Sequence, residues 1–89
     1  MDIIVKKLNE NEIKELKLES WFPWACDPST FEWEYQDTEQ CFFLKGYVKV
    51  WLDEKNFIEI KKGDFVQFPK GLKCKWEVIE TIEKLYRFI

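Results

Sequence analysis

Residues 63–78 read GDFVQFPKGLKCKWEV. How this stretch divides decides the fold. Gly63-Asp64 marks a tight turn into a strand, DFVQF. Pro69 has no amide hydrogen to give a ladder, so it suits a strand end. Gly71 can take the positive φ of a turn that feeds the next strand. From Leu72 the residues alternate. Cys74, Trp76 and Val78 share one face, while Lys73 and Lys75 point to the other. The cysteine therefore sits on an apolar face between two lysines.

The same period of two runs outward in both directions. FEWEYQ (residues 31–36) puts Phe31, Trp33 and Tyr35 on one face and Glu32 and Glu34 on the other. EQCFFLKG reads as a strand that ends at Gly46. YVKVWL places Val48, Val50 and Leu52 together. Asp53–Asn56 is a hairpin signal before FIEI, and IEKLYRFI is a last strand. Short alternating strands about 8–12 residues apart, broken by turns, read as an all-β sandwich or barrel. Upstream, residues 2–8 predict a strand. Asn9 or Asn11 caps a short helix whose buried side carries Ile13, Leu16 and Leu18. Residues 20–28, SWFPWACDP, read as a loop broken by two prolines. Its Trp21, Phe22 and Trp24 are apolar enough to fold over an open end or face of the domain, and Trp21 and Trp24 read equally as lid, packing or dimer-contact residues.

Composition narrows the function. Eighty-nine residues, 46% hydrophobic and 35% charged, predict one soluble domain. A chain this short buries roughly 60–65% of its unfolded surface, so the core must be dense. Five Trp, eight Phe and three Tyr supply it. A net charge of −3 with interspersed signs argues against a nucleic-acid platform. The N-terminal residues hold no apolar run long enough for a signal or membrane helix. Three cysteines without CxxC spacing predict free thiols and a cytoplasmic setting. There is no histidine.

The turn spacing is specific. Gly63, Pro69 and Gly71 match the pattern G-x5-P-x-G-x2-H, with Cys74 in place of the histidine. Glu39 and Gly46 match the second half of H-x-H-x3-E-x6-G, with Trp33 and Tyr35 in place of its histidines. These are the two motifs of the cupin superfamily, which the chain resembles over residues 31–88. The small size and motif details look similar to the branch that holds the (S)-ureidoglycine aminohydrolase cupin domain and small single-domain bacterial proteins. The resemblance implies an antiparallel jelly-roll β-barrel over residues 31–88, and the strand, helix and loop read over residues 1–30 precede it within one domain of residues 1–89. It also implies that Phe31, Trp33, Tyr35, Glu39, Cys74, Trp76 and Val78 face the barrel interior.

Metal-binding cupins hold a divalent ion with three histidines and the glutamate. This chain keeps Glu39 alone. An indole cannot ligate, and Glu39 with Cys74 makes at most two good donors, so no metal or other cofactor is expected.

Glu39 and Cys74 are the candidates for catalytic work, and with Trp33, Tyr35 and Trp76 they form a candidate ligand pocket. Each also has a structural reading. Cys74 is either a small core residue or a thiol nucleophile, and the absence of a nearby base favours the core. Glu39 is either bonded to a neighbour near the rim or an acid/base or anchor. The aromatics are either core or a stacking platform. Binding of a small molecule is the leading expectation. An enzyme acting on a small nitrogenous or carbonyl compound, by analogy with the manganese-dependent ureidoglycine aminohydrolase type, is the alternative. A structural module is the third reading. A homodimer through sheet edges is expected as partner, with neither nucleic acid nor membrane.

Overall fold

The computed structural model describes residues 3–89. In chain order it contains β1 (Ile4–Lys7), α1 (Glu10–Leu16), one 3-10 turn (Leu18–Ser20), β2 (Phe22–Cys26), β3 (Ser29–Glu34), β4 (Glu39–Trp51), β5 (Phe57–Lys61), β6 (Asp64–Phe68) and β7 (Lys73–Phe88). Every strand pairing is antiparallel. Residue 2, where the first strand was expected to start, lies outside the described residues.

Two long strands organise the sheet. β4 spans 13 residues and β7 spans 16, and they pair along most of their length. Here the structure corrects the sequence reading, which ended a strand at Gly46 and divided the C-terminal region into two strands. Both run through. The first half of β4 pairs with β6 and its second half with β5. Likewise β3 pairs with the start of β7 and β2 with its end. One layer is thus β1-β6-β4-β7-β2, and the other is β5-β4-β7-β3. The shared strands bend where the register shifts between Phe43 and Val48. Gly46 makes the bend possible. Its φ is 94°, and a Cβ there would stand 2.2 Å from the Thr81 carbonyl oxygen. The result is an antiparallel jelly roll with one short N-terminal helix.

The two layers close on a common core. Cys41, Phe43, Val66 and Phe68 from one layer meet Val48, Val50, Ile60, Trp76 and Val78 from the other. Phe42 is also buried, because the outer face of the first layer is covered. There Trp21, Phe42 and Phe65 pack with Ile13 and Leu16 of α1 and with Leu8 and Leu18. The helix is capped as expected: Asn9 accepts from the Glu12 amide at 2.9 Å, and Glu12 accepts from the Asn9 amide at 3.1 Å. No residue of α1 is fully buried.

Residues 22–26 form a strand rather than the loop expected from two prolines. β2 pairs on one side only, with β7. An edge strand tolerates Pro23 because half of its amide groups have no ladder partner to lose. Leu52 also departs from expectation. It follows the end of β4 and is partly exposed, while Val48 and Val50 are buried. The hairpin signal holds: Asp53 accepts from the amides of Lys55 and Asn56, each at 2.8 Å.

Candidate functional site

β7 carries the residue that defines the site. Cys74, Trp76 and Val78 alternate inward, the face breaks at the exposed Glu80 beside the register shift, and Ile82 and Lys84 resume it, buried. Lys84 lies between two cross-strand neighbours, Phe43 on β4 and Trp24 on β2. A buried lysine needs a partner. Lys84 Nζ bonds Glu39 Oε2 at 3.0 Å, and the two side chains are each 7% exposed. Cys41 completes the cluster, donating to Glu39 Oε2 at 2.9 Å and lying 3.4 Å from Lys84 Nζ.

Aromatic faces surround the ammonium. Its Nζ stands 4.7 Å from the Trp76 ring centroid and 4.9 Å from that of Trp24. Tyr86 and Phe43 follow at 5.8 and 5.9 Å. Such contacts attract the ammonium and hold the head group in place. Phe31 stacks near-parallel to Trp76 at 6.0 Å, and Trp24 meets Trp76 edge-on.

Above this cluster is a half-open cavity of about 270 Å³, lined by Trp24, Phe31, Trp33, Tyr35, Glu39, Trp76, Lys84, Tyr86 and Phe88. Trp33 and Phe88 are more than half exposed and form its rim. Tyr35 stacks on Phe68 at 4.7 Å. Burial pushes its hydroxyl's ionisation far above the ordinary value, with the nearby Cys41, Glu39 and Cys74 adding to the effect. The Cys41 thiol is pushed up in the same way, chiefly by burial, with Lys84 opposing.

Four of the five residues anticipated from the sequence meet here: Trp33, Tyr35, Glu39 and Trp76. Cys74 does not. It borders a separate surface groove with Glu32, Glu34 and Asp53. It pairs with Trp33 across β3 and β7, and burial pushes its thiol up to about 11. Cys74 is therefore a small, protonated side chain apart from the cavity, and its place in the anticipated pocket is withdrawn. The Trp76 indole N–H is buried without a hydrogen-bond partner, although Tyr35 and Cys74 lie close enough for it to affect their acidity.

The sequence reading missed Lys84, Cys41 and Tyr86, and left Trp24 among packing, lid and dimer-contact roles. A signal was present. After the exposed Glu80, residues Ile82, Lys84, Tyr86 and Phe88 resume the even-numbered face of Cys74, Trp76 and Val78, so a lysine falls among apolar residues. Dividing β7 into two strands hid that continuity.

The positions that hold metal in related folds do not fit a divalent ion here. Trp33 offers no ligand atom, burial keeps Tyr35 and Cys74 protonated, and Glu39 is engaged by Lys84 and Cys41. Among the described residues no group of three or more His, Cys, Asp or Glu is placed to hold one. An ammonium supplies the positive charge beside the glutamate instead.

A bent jelly roll with a half-open cavity at Glu39 defines a small cupin. The chain belongs to the EutQ-like cupin domain family, whose family model matches residues 13–86. It is similar to a DUF861-family protein from Thermotoga maritima at 38% identity and a TM-score of 0.95, covering 99% of this chain and 100% of that one. The EutQ protein of Clostridium difficile shares the fold at 19% identity and a TM-score of 0.67, over 94% of this chain and 64% of that one. A DUF861-family protein from Pseudomonas syringae aligns at 23% identity and a TM-score of 0.65, over 72% of this chain and 28% of that one. A search of curated proteins gave no match.

Proposed function

We propose that the chain binds a small molecule in the aromatic cavity above Lys84 and Glu39. One observation carries this reading: a half-open apolar cavity whose floor holds a buried ammonium–carboxylate pair. Ligand sites combine apolar walls for burial with a few fixed polar groups for orientation. Trp24, Phe31 and Trp76 supply the walls, and the pair supplies the orientation. A thermal-shift screen of small metabolites tests it, with tryptophan fluorescence as the second readout. Ligands should raise the Tm of the wild type and lose most of that effect in Trp24→Ala. An absence of stabilisation by every compound, together with a crystal structure in which side chains fill the cavity, would overturn the reading.

The second reading is an enzyme of the ureidoglycine aminohydrolase type of cupin, acting on a small nitrogenous or carbonyl compound. It is favoured by the 3.0 Å contact between Glu39 and Lys84, across which a proton can pass. Turnover that Glu39→Gln abolishes while binding persists would support it over simple binding. A homodimer through the open sheet edges accompanies either reading, and light scattering decides it.

A further inference from the structure

We infer that the cavity takes a neutral planar ligand presenting a hydrogen-bond donor beside an acceptor, as a carboxamide or lactam edge does. The inference rests on the binding reading above and names the class of compound that the floor selects.

The hydrogen-bond count of the floor supports it. The Lys84 ammonium has three N–H groups. One goes to Glu39 Oε2 at 3.0 Å and one to Cys41 Sγ at 3.4 Å. The third has no acceptor among the described residues. Glu39 Oε2 accepts from both Lys84 and Cys41, whereas Oε1 accepts from neither. Among the described residues, the one sealed side-chain polar atom without a partner is Trp76 Nε1. Glu39 Oε1 and the Tyr35 hydroxyl are thus unpartnered but not sealed, and both residues line the cavity. The floor therefore presents one free acceptor, Oε1, beside the Tyr35 O–H and a Lys84 ammonium with one N–H that has no oxygen, nitrogen or sulfur partner among the described residues.

Charge narrows the class further. The ammonium and the carboxylate are 3.0 Å apart, and their charges cancel. A carboxylate ligand is attracted by Lys84 but repelled by Glu39, and it loses its own hydration on entry. A cationic ligand meets the mirror-image conflict. A neutral group with an N–H beside a C=O satisfies both ends of the pair without adding charge. The walls add shape. Phe31 and Trp76 lie 18° from parallel and Trp24 stands edge-on, so a flat body is favoured, and 270 Å³ suits a single ring with one substituent.

Four single-ring probes of matched size test this: benzamide, benzoate, benzamidinium and acetophenone. Each is titrated into the full chain at neutral pH and constant salt. Affinity is read by calorimetry, and location by the indole N–H signals of Trp24 and Trp76. Benzamide should bind about tenfold or more tightly than each of the others, because only it offers both a donor to Glu39 Oε1 and a neutral acceptor to the donors beside it. In the double variant Glu39→Met/Lys84→Met, which removes both charges together, benzamide should fall to within about threefold of acetophenone. The wild-type series decides the matter even if that variant does not fold. Benzoate or benzamidinium binding tightest, or all four binding equally, overturns the ligand class and leaves the binding reading standing. No perturbation of Trp24 or Trp76 by any probe at millimolar concentration overturns the binding reading itself, and the inference with it.

Discussion

Lys84 and Glu39 are 45 residues apart in sequence, yet their charged groups meet at 3.0 Å inside the barrel. Each alone would be an uncompensated charge among aromatic rings. Removing one partner is therefore costly, while removing both restores an apolar floor. Lys84→Met and Glu39→Met are each expected to lose roughly 3–5 kcal/mol of stability. The double variant should unfold close to the wild-type urea midpoint. If the two losses simply add, the residues do not act as a pair.

Cys74 sets a pH dependence. Burial raises its thiol from 9.0 to about 11, so the native chain keeps a proton that the unfolded chain gives up first. Stability is then complete below about pH 9 and declines as pH rises toward 11. The buried Cys41 thiol shifts in the same direction. Thermal unfolding across pH 7–11 should show the decline, and Cys74→Ala should make it shallower. Alkylation gives an independent check: native Cys74 should react at least about tenfold more slowly at pH 8 than the same residue in urea.

Gly46→Ala should be among the most disruptive single-methyl changes in the chain. The added Cβ meets the Thr81 carbonyl oxygen at 2.2 Å and the Ile82 Cα at 2.8 Å, on a backbone with positive φ. Strain and overpacking together predict a loss of roughly 2–5 kcal/mol. A urea midpoint within error of the wild type would show that the bend in β4 does not depend on glycine.

Asn9→Ala removes one half of the reciprocal cap on α1. The expected cost is about 1 kcal/mol, and Asn9→Ser should recover most of it. Because α1 covers the outer face rather than the cavity, probe binding at Lys84 should be unchanged. A matching loss of binding would show that the two faces of the sheet are coupled.

The motif residues were legible because their constraints are local. Gly63 and Gly71 adopt positive φ, and Asn9 caps a helix from within its own turn. The period-two faces of residues 31–35 and 74–78 follow from the pleat alone. Those faces group Tyr35 with Trp33 and Trp76 with Cys74, the cupin-motif resemblance adds Glu39, and Tyr35, Trp76 and Glu39 are all buried. Trp33 was harder, because alternation gives a face but not a depth. It sits at the rim, 52% exposed.

The sequence by itself determined the alternation, the turn skeleton, the short capped helix and the loss of the histidine ligand set. Each depends on residues a few positions apart. Only the tertiary structure decided that β4 and β7 run unbroken through the bend, that β2 is an edge strand, and that Cys74 stands away from the cavity. It also decided that Lys84 reaches Glu39 between Trp24 and Trp76. Those outcomes depend on which strands become neighbours, and strand pairing is set by long-range burial rather than by local pattern. A lysine on an apolar stripe becomes tolerable only when folding brings a carboxylate and aromatic faces to meet it.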